Sequence, residues 1–62
     1  MQSHNTERVV TISMSSKLFK HVEHIVTNYE TPKFDFEGKP YKITNLKPSE
    51  RKNHINIYLK EI

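Results

Sequence analysis

Lys33-Phe34-Asp35-Phe36-Glu37-Gly38-Lys39-Pro40-Tyr41-Lys42-Ile43-Thr44-Asn45-Leu46 is the stretch that decides the fold. Lys33–Glu37 alternates, with Phe34 and Phe36 on one side. The alternation resumes through Tyr41 and Ile43 and reaches Leu46 after a slip. A period of two in β-branched and aromatic residues specifies a strand. Between the two runs stands Gly38, the only glycine of the chain. A two-residue connection at Glu37-Gly38 or Gly38-Lys39 needs a positive φ, which glycine adopts without steric cost. The stretch therefore reads as a β-hairpin. Pro40 lacks a backbone donor, which suits an edge strand or the first residue of a strand.

Downstream, Lys47–Asn53 is polar and charged, contains Pro48, and reads as a loop. His54–Ile62 is the most regular alternation in the chain. Ile55, Ile57 and Leu59 point one way, and Asn56, Tyr58 and Lys60 the other.

Upstream, residues 7–14 also alternate, with Val10, Ile12 and Met14 opposed to Val9, Thr11 and Ser13. Ser15 or Ser16 is placed to cap a helix through its hydroxyl. From Lys17 to about Asn28, Leu18, Val22, Ile25, Val26 and Tyr29 recur at helical spacing and form one apolar stripe. Thr31-Pro32 closes the helix, since proline disfavours the helical region in the residue before it. Residues 1–6 carry no periodicity and read as a flexible N-terminal tail.

The element order is β-α-β-β-β. It predicts an α+β fold: a single small domain over residues 7–62, with a four-stranded, mainly antiparallel sheet and one helix packed on one face. The helix stripe is expected on Val10, Ile12, Phe34 or Phe36, Ile43, Ile55, Ile57 and Leu59. The other face, with Thr11, Ser13, Lys42, Thr44, Asn56, Tyr58 and Lys60, is left for solvent or a partner.

Sixty-two residues form one domain with a marginal core. There is no cysteine, so no disulfide or thiolate site stabilises it. A metal through histidine, or oligomerisation, remains as a source of extra stability. No apolar run approaches the roughly 18 residues of a membrane span, and Met1–Glu7 lacks the apolar core of a signal peptide. A cytoplasmic location is the corresponding expectation, with no membrane partner.

Catalysis finds little support. Ser3, Ser13, Ser15, Ser16 and Ser49 lack a nucleophile-elbow setting, and one glycine cannot build a phosphate loop. The acids are scattered. His21 and His24 share a helix face at i, i+3, a spacing that can chelate a transition metal. A structural site needs four ligands, however, and the remaining histidines are His4 and His54. Neither a cofactor nor a metal is expected, and no residue is assigned a catalytic role.

Charge gives the main functional signal. Residues 1–30 balance three bases against three acids, while residues 31–62 carry seven bases against four acids, the entire net charge of +3. The candidate partner-binding residues are Lys39, Tyr41, Lys42, Lys47, Arg51, Lys52, Tyr58 and Lys60. The lysines and arginine would select an acidic surface on a protein partner, with Tyr41 or Tyr58 as anchor. The expected function is a small non-catalytic regulatory protein that acts by stoichiometric protein–protein interaction. The alternative is a nucleic-acid-binding protein that applies the same bases to phosphates. Strand Arg8–Met14, if at a sheet edge, offers a two-fold contact for a homodimer.

Two resemblances accompany this reading. The stretch Arg8-Val-Val-Thr-Ile-Ser-Met-Ser-Ser-Lys-Leu-Phe-Lys-His-Val-Glu-His-Ile-Val26 resembles the opening of ribbon-helix-helix DNA-binding proteins. That resemblance implies a strand paired with its twin across a dimer axis, with Val9, Thr11 and Ser13, or Arg8 with them, reading DNA. The family places a second helix next, where this chain has three predicted strands, so the chain is not assigned to it. In size, lack of cysteine and lack of an enzyme motif, the chain is also similar to the small modulators that phages and mobile elements direct at host proteins.

Overall fold

The computed structural model describes residues 7–62. The tail expected over residues 1–6 lies outside the described residues. The elements run β1 (Glu7–Ser13), α1 (Lys17–Asn28), β2 (Lys33–Phe36), β3 (Lys39–Pro48) and β4 (His54–Glu61). They form an α+β domain in which a single four-stranded antiparallel sheet has the spatial order β1-β4-β3-β2. β1 pairs with β4 of its own chain, from Glu7↔Lys60 to Ser13↔His54. The second helix of the ribbon-helix-helix resemblance is absent among the described residues.

Local chemistry accounts for the elements. Ser16 N-caps α1 by accepting from the Phe19 amide at 3.1 Å, and its hydroxyl donates to the Ser13 carbonyl at 2.7 Å. One side chain thus ends β1 and starts the helix. The helix stops at Asn28. Tyr29 has φ −126° and ψ 138°, its amide bonds the Ile25 carbonyl, and it is 59% exposed. The apolar stripe expected to include Tyr29 therefore ends at Val26, because Tyr29 has left the helical conformation that would aim it inward. Met14 is likewise exposed. It lies one residue past the end of β1, where the period of two no longer applies.

The β2–β3 hairpin turns on Glu37 and Gly38, at φ 54° and 81°, with Phe36 opposite Lys39. Positive φ at both central residues is the backbone that matches the right-handed twist of the flanking strands. β3 is an interior strand, so Pro40 does not mark an edge. Its carbonyl accepts from the Ile62 amide at 3.2 Å, so its link to the residue after β4 runs through that carbonyl and needs no donor from the proline.

β3 also extends further than expected. A bulge between Ile43 and Asn45 rephases the strand, so that Tyr41, Ile43 and Leu46 all face the helix and pairing continues to Pro48↔Ile55. Lys47 and Pro48 thus belong to the ladder, and the loop shrinks to Ser49–Asn53. There Arg51 N–H bonds Ser49 Oγ at 3.0 Å, and the Asn53 carbonyl accepts from Met14 at 2.9 Å.

The core comprises Val22, Ile25, Phe34, Tyr41, Ile43, Ile57 and Leu59, all on the helix side of the sheet. Val10, Ile12, Leu18, Val26, Phe36 and Leu46 pack around them. One helix covers one face, and no element among the described residues lies over the other.

Candidate functional site

Strand alternation and register together build the uncovered face. Lys33 stands opposite Lys42, Lys42 opposite Lys60, and Lys60 opposite Glu7, so a single row crosses all four strands. Directly paired residues in antiparallel strands lie roughly 4.5–5.5 Å apart at Cα. The next row is Asn45, Tyr58 and Val9, and the one after it is Lys47, Asn56 and Thr11. Thr11 Oγ1 donates to Asn56 Oδ1 at 2.6 Å, and the Lys47 ammonium lies 5.3 Å from the centre of the Tyr58 ring. Tyr58 thus occupies the middle of the face, with the lysine row on one side and Lys47 on the other.

The described ion pairs are Arg8–Glu37 at 2.6 Å and Lys39–Glu61 at 4.0 Å. Among the described residues, Lys33, Lys42, Lys47 and Lys60 have no carboxylate within that distance. Like charges directly opposite each other on a sheet are destabilising. The triplet Lys33-Lys42-Lys60 contains two such pairs in succession, Glu7 stands opposite its Lys60 end, and Asp35 lies two residues from Lys33 on the same face.

The eight residues singled out from the sequence therefore separate. Lys42, Lys47, Tyr58 and Lys60 come together on the open face. Arg51 and Lys52 sit in the β3–β4 turn, at the end of the sheet beyond Lys47. Lys39 is on the helix side, beside Glu61. Tyr41 is 4% exposed within the core, where its hydroxyl accepts from Arg8 Nη1 at 3.3 Å. It is not available as an anchor, because it shares the face of Ile43, two residues on. Lys33 joins the face without having been singled out. Its signal in the sequence is the Glu37-Gly38 turn, since a two-residue turn there fixes Lys33 opposite Lys42.

The histidines on α1 act separately. His24 Nδ1 lies 3.2 Å from the Asn28 amide nitrogen, and the His21 ring meets Phe34 edge-on with 6.4 Å between centroids. No group of three or more His, Asp or Glu side chains converges on a metal position among the described residues. A shallow groove of about 770 Å³ runs beside edge strand β2, lined by His21, Ile25, Tyr29 and Phe34 among others. The other edge is β1, where Val9 is 51% exposed; this is the strand expected to offer a two-fold contact. No described helix is long and apolar enough to cross a membrane.

Comparison with known proteins gives no matching family model, no matching curated protein and no matching solved structure.

Proposed function

We propose that the chain acts by binding, without catalysis, and that the open face of its sheet takes a nucleic acid by its phosphates. The observation that carries this reading is the row Lys33-Lys42-Lys60 across three adjacent strands, none of them in an ion pair among the described residues, with Glu7 at its β1 end, Asp35 beside it on β2, and Lys47 and Tyr58 next to it. A phosphate chain supplies negative charge at short intervals along a line, and lysines that neutralise it release condensed counterions. The same face is poorly equipped for a stable protein interface. Such interfaces are depleted of lysine at their centres and depend on desolvated aromatic or arginine anchors. With Tyr41 in the core, the face offers Tyr58 and the edge residue Val9 as its apolar contacts.

The test is an amide-resonance titration with short DNA and RNA at low and at physiological salt. Shifts should localise to Lys33, Lys42, Lys47, Tyr58 and Lys60. If each of the four lysines neutralises one phosphate of a single strand, the slope of log affinity against log salt is about −3. Shifts that vanish at physiological salt would overturn this reading and favour the acidic surface of a protein partner, with the chain as its stoichiometric modulator.

A further inference from the structure

We propose that the strand taken by this face is single, and that one of its bases stacks on Tyr58 in the place where Lys47 now lies. The proposal rests on the nucleic-acid reading of the same face and adds to it a form of nucleic acid and a contact.

Curvature decides the first part. Arg8 stands opposite the buried Leu59 and so projects on the helix side of β1. Glu37 is in the hairpin turn of β2, at the opposite edge of the sheet. Their side chains nevertheless meet at 2.6 Å, and the Arg8 guanidinium lies 5.0 Å from the centre of the Phe36 ring. Two edges can meet on the helix side only if that side is concave. The lysine face is therefore convex along the line from Arg8 to Glu37. A rigid duplex touches a convex surface along a narrow line, whereas a single strand can drape over it and bring several phosphates to Lys33, Lys42, Lys60 and Lys47.

The second part follows from the Tyr58 ring. It is the only phenylalanine or tyrosine among the described positions of that face, with His54 at the far end of the same strand; Phe34, Phe36 and Tyr41 face the helix. The Lys47 ammonium above it shows that the flat of the ring is open to a partner from solvent. A base is a larger planar partner for that surface, and unpaired bases stack on such platforms irrespective of sequence. When a base takes this position, Lys47 is released to a phosphate, exchanging a weak exposed cation–π contact for a charge pair. No covalent step is involved.

The experiment is fluorescence anisotropy at physiological salt with the full chain and three labelled probes. These are a single strand of about twelve nucleotides, the same strand with every base removed but all phosphates kept, and a hairpin duplex. DNA and RNA versions of the single strand are both run, because stacking uses the base and not the sugar. One stacked base should make the base-bearing strand roughly 5- to 150-fold tighter than the abasic one, and the duplex should be weaker than the single strand. Tyr58→Phe should keep the ratio and Tyr58→Leu should abolish it. Lys47→Met should keep the ratio while making the salt slope shallower by about 0.7. Equal affinity for the base-bearing and abasic strands overturns the stacking and leaves the phosphate reading standing. A duplex that binds as tightly as the single strand overturns the choice of strand. Failure of every probe to bind overturns the phosphate reading itself. The probe comparison uses the unaltered protein, so its outcome does not depend on whether any variant folds.

Discussion

Arg8 and Glu37, on the first strand and in the hairpin turn at the opposite edge of the sheet, form an ion pair at 2.6 Å. Between them the sheet curls, and the same guanidinium bonds the Tyr41 hydroxyl at 3.3 Å and lies over Phe36. The Tyr41 hydrogen bond first, and Glu37 second, raise the pKa of Arg8 above its ordinary value. A raised pKa in a base means that the stabilisation is fully present below the unfolded value and is lost only as pH rises through the folded one. For arginine that window lies above the range in which proteins are handled, so salt and substitution are the useful probes. Arg8→Met keeps the stem and removes the charge. It should lower the urea midpoint at about 0.01 M salt and do so less at about 1 M, where the screening length falls from roughly 30 to 3 Å. Equal midpoints for Arg8→Met and the parent at both salts would mean that the curl is set by the core alone.

Ile57 and Leu59 carry the core from β4, one of the two interior strands. Ile57 is fully buried, and its neighbours on the ladder are Val10 and Leu46. Ile57→Val should cost about 0.5–1.5 kcal/mol and Leu59→Ala about 2–5 kcal/mol. At about 0.05–0.15 kcal/mol per residue, a chain of this length holds about 3–9 kcal/mol in total, and a domain this small falls toward the lower end. Leu59→Ala should therefore show a largely unfolded circular dichroism spectrum at room temperature, while Ile57→Val should show a shifted cooperative transition. A folded Leu59→Ala with an unchanged midpoint would contradict the assignment of this core.

Ser16 holds two elements with one hydroxyl, accepting from Phe19 and donating to Ser13. Replacement by alanine should cost about 1 kcal/mol. Ser16→Thr can restore both bonds and Ser16→Asp only the cap, so in chemical denaturation the order of stability should be Ser16, Thr, Asp, Ala. Asp equal to Ser would mean that the bond to Ser13 contributes nothing.

Local features are legible in the sequence, and features that depend on distant residues are not. The helix from Lys17 to Asn28, its serine cap and the turn at Gly38 follow from spacing and from the chemistry of neighbouring residues. The pairing of β1 with β4 does not, because Val10 and Ile57 alternate correctly for any partner. Lys47 reads as loop because Pro48 and the charges around it resemble a turn. The ladder persists because the bulge after Ile43 rephases it. Tyr41 reads as an anchor on account of its ring and basic neighbours, although its alternation with Ile43 already places it inside. Lys33 enters the row through the register of a turn, a relation visible only when hairpin partners are numbered across it. The convexity of the open face rests on Arg8 reaching Glu37, a contact between residues 29 apart that no local pattern announces.

Lys42 separates stability from binding. It stands directly between Lys33 and Lys60, so two of its cross-strand pairs are repulsive. Lys42→Glu converts both into attractions. Each cross-strand pair is worth about 0.2–1 kcal/mol before solvent screening, and exposed charges keep the lower part of that range. Lys42→Glu should therefore raise the urea midpoint by an amount equivalent to a few tenths of a kcal/mol up to about 1 kcal/mol. In the same protein, oligonucleotide affinity should fall and the salt slope should become shallower. Lys17→Glu, on the exposed start of the helix, serves as the control and should change neither the open face nor its salt slope. A lysine that merely keeps the chain soluble has no reason to stand where it destabilises the sheet, and its reversal would leave oligonucleotide binding unchanged. A gain in stability coupled to a loss of binding is the result that identifies the row as a site, because a partner's negative charge compensates for the repulsion that Lys42 carries against both of its neighbours in the free protein.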